Sequence, residues 1–209
     1  MAQTPIEHPV AAGPVDVALI GNPNTGKTSI FNALTGLRQK IGNYPGVTVE
    51  KKTGTMIGPH DEKILLHDLP GLYSLNPKSI DEKIARDVLL GESDEDGDIK
   101  LIIVVADAAN LSRNLYLVTQ IIDLDIPVIV ALNMMDGAEA VGVHIDVEAL
   151  SERLLVPVIP VIATKGMGID RLRETILSTL DRPAEADEKS TIQLDEPVDA
   201  AISPLVSWL

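Results

Sequence analysis

The sequence predicts an α/β domain built on a mostly parallel sheet of six strands, with one antiparallel edge strand and helices on both faces. Three observations carry this. The apolar run Val15 to Ile20 leads into Gly21-Asn22-Pro23-Asn24-Thr25-Gly26-Lys27-Thr28 and then into a helically spaced segment, the strand, loop and helix start of a phosphate loop. From Ile99 onward, apolar strands alternate with amphipathic helices, which is the pattern of a parallel sheet covered on both sides. Aromatic residues make up only 2% of the 209 residues, so the core is aliphatic, as strands buried on both faces require.

The elements follow in chain order. Residues 1–14 lack periodicity and read as a flexible arm. A helix is expected from about Gly26 to Leu34, then a long loop from Leu37 to Glu50 with two glycines and a proline. Strands near Lys51 to Ile57 and Lys63 to His67 form a hairpin. Ser79 and Glu82 make a capping box that starts a helix reaching about Leu90. An acidic surface loop spans Gly91 to Asp98. Strand Leu101 to Ala106, helix Leu111 to Leu124, strand Val128 to Leu132, helix Val147 to Leu155, strand Val158 to Ile162 and helix Ile169 to Leu180 complete a domain over 15–181. An acidic linker covers 182–197, and the apolar spacing of Val198, Ile202, Leu205, Val206 and Leu209 predicts the start of a further helix over 198–209.

Lys and Arg total 17 against 31 Asp and Glu, a formal charge of −14. That field repels nucleic-acid backbones and argues against sequence-independent binding to them. There is no cysteine, hence no disulfide or thiolate chemistry. No apolar run approaches the ~18 residues that span a bilayer, and 1–13 lacks the basic and apolar regions of a signal peptide; the chain as given is expected to be soluble.

Phosphate chemistry falls at strand ends. In the loop Gly21 to Thr28, backbone N–H groups can cradle phosphate oxygens, Lys27 can neutralise β- and γ-phosphates, and the Thr28 hydroxyl can ligate Mg²⁺, with Ser29 in the first helical turn beside it. Asp68-Leu69-Pro70-Gly71 follows the strand ending at His67; its carboxylate can hold Mg²⁺ through water and the Gly71 N–H can touch a γ-phosphate. Asn133-Met134-Met135-Asp136 follows another strand, and a carboxylate at Asp136 can accept from both N1–H and the exocyclic amine of guanine, a pattern adenine lacks. Ile162 ends a third strand, and Ala163-Thr164-Lys165-Gly166 follow it, where backbone N–H groups can meet the guanine O6. Together these predict GTP and GDP rather than ATP. Gly46, Val47 and Thr48 lie in the long loop, where the Thr48 hydroxyl can complete a Mg²⁺ shell only while a γ-phosphate is present. The four histidines, His8, His60, His67 and His144, lack metal-ligand spacing, and no iron site is expected.

These elements, with Asn43-Tyr44-Pro45-Gly46-Val47-Thr48-Val49-Glu50 and Asp68-Leu69-Pro70-Gly71-Leu72-Tyr73-Ser74-Leu75, resemble the cytoplasmic G domain of FeoB-type ferrous iron transporters, over Val15 to Leu180. The resemblance implies a Ras-like P-loop GTPase fold. It also implies slow, Mg²⁺-dependent hydrolysis of GTP that regulates ferrous iron uptake, with Lys27, Thr48, Asn24 and Gly71 in catalytic roles. The implied partners are helical regulatory and polytopic membrane domains of the same polypeptide and small accessory proteins of the iron-transport system, at the cytoplasmic face of the bacterial inner membrane. Two positions depart from Ras-like practice. Leu72 stands where many small GTPases carry a water-orienting Gln, and Met134 where Lys is common. In GTPases that resemble this one, the phosphate-loop Asn, here Asn24, ligates K⁺ together with backbone carbonyls, placing charge where an arginine finger would act. Two other readings stand beside this: an Era-like ribosome- or RNA-associated GTPase, disfavoured by the acidic charge, and a guanine-nucleotide sensor that does not hydrolyse.

Overall fold

The computed structural model describes residues 13–36, 39–59, 61–93 and 97–181, and the backbone of 206–208. Most of the expected N-terminal arm, all of the 182–197 linker, His8 and His60 lie outside these residues.

Strand β1 (Val15–Gly21) feeds helix α1 (Lys27–Thr35), followed by β2 (Gln39–Asn43), β3 (Glu50–Ile57) and β4 (Lys63–Asp68). Then come α2 (Ile80–Leu89), β5 (Ile99–Asp107), α3 (Leu111–Ile122), β6 (Val128–Asn133), α4 (Met135–Ala140), β7 (Val143–Ile145), α5 (Val147–Leu154), β8 (Val158–Pro160) and α6 (Ile169–Leu180). Short 3-10 turns at Ala108–Asn110 and Ala163–Lys165 follow β5 and β8, and β9 (Val206–Trp208) ends the described chain.

The main sheet has the order β2-β3-β4-β1-β5-β6-β8. All pairs from β4 to β8 are parallel, and β3 is antiparallel to both its neighbours. Seven strands stand where six were expected, and the difference is β2. It lies within the segment read as a loop over Leu37 to Glu50, and it, not β3, forms the edge. Four of its five residues are exposed, so no buried face imprints an alternating pattern on its sequence.

Side-chain alternation along β1 divides the core in two. Ala18 and Ile20 join one buried cluster with α2, α3 and α5, while Val17 and Leu19 join another with Ile30, Phe31 and Leu34 of α1 and Leu172 and Ile176 of α6. Every one of these strand residues is fully buried. Capping fixes α2 as the sequence predicts: Glu82 N–H donates to Ser79 Oγ at 3.2 Å, and Lys78 N–H donates to Glu82 Oε2 at 2.6 Å.

Two smaller departures lie after Asn133. Helix α4 and strand β7 occupy a stretch for which the sequence predicts only the motif Asn133 to Asp136. The described part of 198–209 is a strand rather than a helix: β9 pairs antiparallel with β7, Val143 opposite Trp208 and Ile145 opposite Val206.

The parallel registers set Leu19 opposite Asp68, Gly21 opposite Val105, and Asp107 opposite Asn133. The carboxyl ends of β4, β1, β5 and β6 thus form one edge, the place where open α/β sheets bind ligands.

Candidate functional site

The phosphate loop leaves β1 at Gly21 and turns through two left-handed residues, Asn24 (φ 65°) and Gly26 (φ 80°). Thr25 locks the turn by donating both its N–H (3.4 Å) and its hydroxyl (2.9 Å) to the Asn22 carbonyl. Gly26 then caps α1, accepting from Ser29 N–H at 3.0 Å and Ile30 N–H at 3.2 Å. The first turn of α1 carries no acidic residue of its own. Pro23, Asn24 and Thr28 are exposed, and Asn22 is buried.

The segment after β4 continues the ladder on β1: Leu69 N–H donates to the Leu19 carbonyl at 3.1 Å and Leu72 N–H to that of Gly21 at 3.2 Å. This presses Gly71 against the phosphate loop, where a Cβ would come within 3.2 Å of the Pro23 nitrogen. Asp68 is buried and ion-paired with Lys27. Leu69 and Leu72 are fully buried in the core, with Pro70 half-buried between them. The Leu72 side chain therefore lacks a polar group and also lies among core residues away from solvent.

Between β2 and β3 the chain makes a tight turn. Val47 N–H donates to the Tyr44 carbonyl at 3.3 Å across Pro45 and Gly46 (φ 72°), the residue order of a type II turn. Tyr44 N–H donates to the Val49 carbonyl at 2.9 Å, and the Tyr44 ring is buried in the cluster that holds Leu69 and Leu72. Thr48 is exposed at the hairpin tip; no hydrogen bond joins it to Thr28 or Asp68 among the described residues.

Asn133 is the buried hub of the edge. Its Nδ2 donates to the Thr25 carbonyl at 2.9 Å, and its Oδ1 accepts from Ala163 N–H at 3.1 Å, so one amide ties the phosphate loop to the turn after β8. Gly26 makes room for it, since a Cβ there would sit 2.3 Å from Asn133 Nδ2. Met134 adopts a left-handed conformation (φ 61°) and lays its terminal methyl towards Gly26. Asp136 accepts from Gly137 N–H at 3.1 Å through Oδ1, and its Oδ2 is 2.7 Å from Lys165 Nζ. The Lys165 hydrogen bond, reinforced by its charge and the Gly137 N–H, holds the Asp136 carboxyl below its ordinary value. The turn Ile162 to Met167 is closed by reciprocal backbone hydrogen bonds of 3.0 and 3.3 Å, with Ala163 half-buried and Thr164 exposed.

The sequence-named residues thus fall on one edge, and Lys27 with Asp68 and Thr25 with Asn133 and Ala163 are in direct contact. Lys165 is expected only as part of the stretch Ala163-Thr164-Lys165-Gly166, for its backbone; its side-chain contact with Asp136 is not. His67 is structural here: buried in β4, its Nε2 is 2.7 Å from Asp16 Oδ1 and its Nδ1 3.3 Å from Thr53 Oγ1. His144 is exposed. Among the described residues no group of three or more His, Asp or Glu is placed to hold a metal ion, and no helix is long and apolar enough to cross a membrane.

A glycine-lined loop at the end of β1 that leads into a helix, with a carboxylate at the end of the neighbouring β4 and the Asn133-to-Asp136 loop after β6, is the architecture of the P-loop GTPases. Within that class the model of the ferrous iron transport protein B family matches residues 15–176, and the chain belongs to this family. The Fe(2+) transporter FeoB of Salmonella typhimurium is 52% identical over 164 residues, covering 77% of this chain and 20% of the relative. The chain thus spans about a fifth of the length of the curated relatives it matches. Among solved structures, the cytosolic domain of L. pneumophila FeoB matches with TM-score 0.73 and 48% identity, covering 79% of this chain and 68% of that one. The cytosolic domain of the T. maritima FeoB iron transporter in its GMPPNP form matches with TM-score 0.77 and 42% identity, covering 91% and 72%.

Proposed function

We propose that this chain binds GTP and GDP with Mg²⁺ and hydrolyses GTP slowly, as the G domain (15–181) of a ferrous iron transporter. On this reading 182–197 links it to a helical regulatory domain and a polytopic membrane domain, and nucleotide state governs iron passage at the cytoplasmic face of the membrane. The observation that carries the reading is the Asn133 amide, which joins the phosphate loop to the base loop and so fixes the spacing between a phosphate site and a base site. A T. maritima relative in GMPPNP form, an analogue of GTP, supports it.

In the proposed mechanism the N–H groups of 22–28 and the Lys27 ammonium bind the phosphates, and Asp136 with the Ala163 turn binds the guanine. Gly71 lies beside the phosphate loop, and on this reading its N–H donates to the γ-phosphate. Water attacks the γ-phosphorus, the bond to the β–γ bridging oxygen breaks, and GDP and phosphate leave. The Leu72 side chain is buried and cannot orient that water, so the rate depends on charge stabilisation. Thr28, Thr48 and Asp68 offer two hydroxyls and a carboxylate, an all-oxygen set that fits Mg²⁺. Asn24 fits K⁺: its side chain is exposed at a left-handed turn and makes no hydrogen bond among the described residues. When bound, the two cations supply positive charge to the phosphate oxygens.

GTP turnover in K⁺ against Na⁺, for wild type and Asn24→Ala, tests the reading. A K⁺ stimulation that Asn24→Ala abolishes supports it; equal rates in both salts remove the K⁺ role. Single-turnover incubation yielding no GDP removes hydrolysis and leaves a nucleotide sensor.

A further inference from the structure

We infer that Gln120 on α3 is a positioning residue for the loop that carries Gly71, clamping the chain after β4 in the pose from which the Gly71 N–H meets a γ-phosphate. This rests on the guanine-nucleotide reading above and deepens it, by giving α3 a part in telling a nucleoside triphosphate from a diphosphate.

The loop between β4 and α2 is held from two sides. On β1, Leu72 N–H donates to the Gly21 carbonyl at 3.2 Å, and Gly71 sits against Pro23. On α3, Leu75 N–H donates to Gln120 Oε1 at 2.9 Å, and the Arg113 guanidinium stands over the Tyr73 ring, 4.6 Å from its centroid. Arg113 and Gln120 are two helical turns apart and so share one face of α3. Leu75 also packs against the cluster to which Leu117 and Ile121 of α3 belong.

Of the two polar contacts with α3, the Gln120 bond is the stronger. Gln120 and Leu75 are half-buried, so water replaces a lost acceptor poorly, whereas Arg113 and Tyr73 are exposed and their contact is screened. The loop braces itself weakly: Ser74 Oγ accepts from Asn76 N–H and donates to its carbonyl, both at 3.3 Å and both exposed. Its pose is therefore set by what it lies on. Fixing Leu75 restricts the short stretch after Gly71 and lowers the entropy lost when Gly71 is fixed on a phosphate. A diphosphate has no γ-phosphate for Gly71 to meet, so the clamp acts on the triphosphate alone.

The test is equilibrium titration of the 209-residue chain with GDP and with GMPPNP, each with Mg²⁺. Wild type, Gln120→Met and Gln120→Glu are compared, with urea unfolding as a check on folding. Methionine keeps the length of the side chain without the amide oxygen, and glutamate keeps an oxygen that can accept from Leu75 N–H. Gln120→Met is expected to weaken GMPPNP about three- to tenfold, the worth of one hydrogen bond, and to leave GDP unchanged. Gln120→Glu retains the wild-type ratio. By linkage, GMPPNP is also expected to slow hydrogen exchange of the Leu75 amide in wild type relative to GDP, a measurement that needs no variant. An unchanged GMPPNP to GDP ratio in Gln120→Met, a Gln120→Glu variant as impaired as Gln120→Met, or Leu75 exchange equal with both ligands would overturn the inference while leaving the nucleotide reading intact. Wild type that binds neither nucleotide would overturn both.

Discussion

Asn133 and Thr25, 108 residues apart, are joined by a 2.9 Å hydrogen bond from the Asn133 amide to the Thr25 carbonyl inside the phosphate loop. The same amide accepts from Ala163, so removing it leaves a buried carbonyl and a backbone N–H without partners. Asn133→Ala is expected to cost about 2–3 kcal/mol in urea unfolding, because a stranded buried polar group costs its desolvation. Gly26→Ala is expected to break the same bond from the other side, by collision with Asn133 Nδ2 and by strain at φ 80°. The double variant should cost less than the sum of the singles; strict additivity would mean that the two residues do not share this contact.

On the proposed reading, base selection turns on Asp136. Asp136→Asn replaces an acceptor with a donor, which opposes the guanine N–H but suits the xanthine carbonyl. GDP affinity is expected to fall at least about tenfold and XDP affinity to rise, since hydrogen bonds to charged groups are worth about 1.5–3 kcal/mol. Paired titrations with GDP and XDP read this directly, and unchanged GDP binding would move the base site elsewhere.

The acid limb of nucleotide binding follows from the Asp136 carboxyl, held below its ordinary value of 3.8 first by the Lys165 hydrogen bond. A carboxylate whose folded value is depressed keeps its contribution above the ordinary value and loses it only as pH falls through the folded one. GDP affinity is expected to stay flat on acidification to about pH 4 in wild type, and to begin falling at higher pH in Lys165→Met. Coincident acid limbs in titrations of the two proteins would contradict this.

How far the sequence disclosed this molecule depended on burial. Helix Ile169–Leu180 and strands β5 and β6 carry long apolar patterns, because they pack against the core along their length. Helix α4, with six residues of which only Ala138 is buried, and β2, exposed along most of its length, leave no such imprint. The segment ending in β9 shows helical apolar spacing, yet Val206–Trp208 pairs with β7; pairing with a distant strand overrode a local period. In the site, motifs revealed which residues gather at the sheet edge. What they touch was not legible: the room Gly26 leaves for Asn133, the burial of Leu72 and the Lys165 contact all depend on residues far apart in sequence.

Tyr44 connects the two loops expected to sense the γ-phosphate. Its ring, 5% exposed, sits in the buried cluster with Leu69 and Leu72, while its backbone closes the hairpin that presents Thr48. Tyr44→Ala is expected to cost about 3 kcal/mol, as truncations of large buried side chains do, and to raise hydrogen exchange of the amides of Tyr44 and Val47. Tyr44→Phe keeps the ring and should retain most of that stability. Loss of stability without faster exchange at the hairpin would show that the ring fills the core without holding the loop.

Lys27 and Asp68 form an ion pair in which the side chains are 14% and 5% exposed, so each neutralises a charge that water reaches poorly. Lys27→Met leaves the buried Asp68 carboxylate without its ion-pair partner and with only the Lys52 charge across the sheet, a loss that costs up to about 3 kcal/mol in comparable buried pairs. Asp68→Asn leaves the ammonium less compensated, but Lys27 is longer and nearer solvent, so the cost should be smaller. With both replaced, neither charge remains, and the double variant is expected to be more stable than Lys27→Met alone. Urea unfolding in buffer free of nucleotide and Mg²⁺ measures this cycle, with a coupling of about 1–3 kcal/mol expected. The comparison is made without ligand because both residues are assigned to Mg²⁺ and phosphate, and binding would redistribute their contacts. If Lys27→Met and the double variant unfold at the same urea concentration, the pair does not govern the stability of the free domain, and Asp68 must be stabilised by its cross-strand neighbour Lys52 and the surrounding loop.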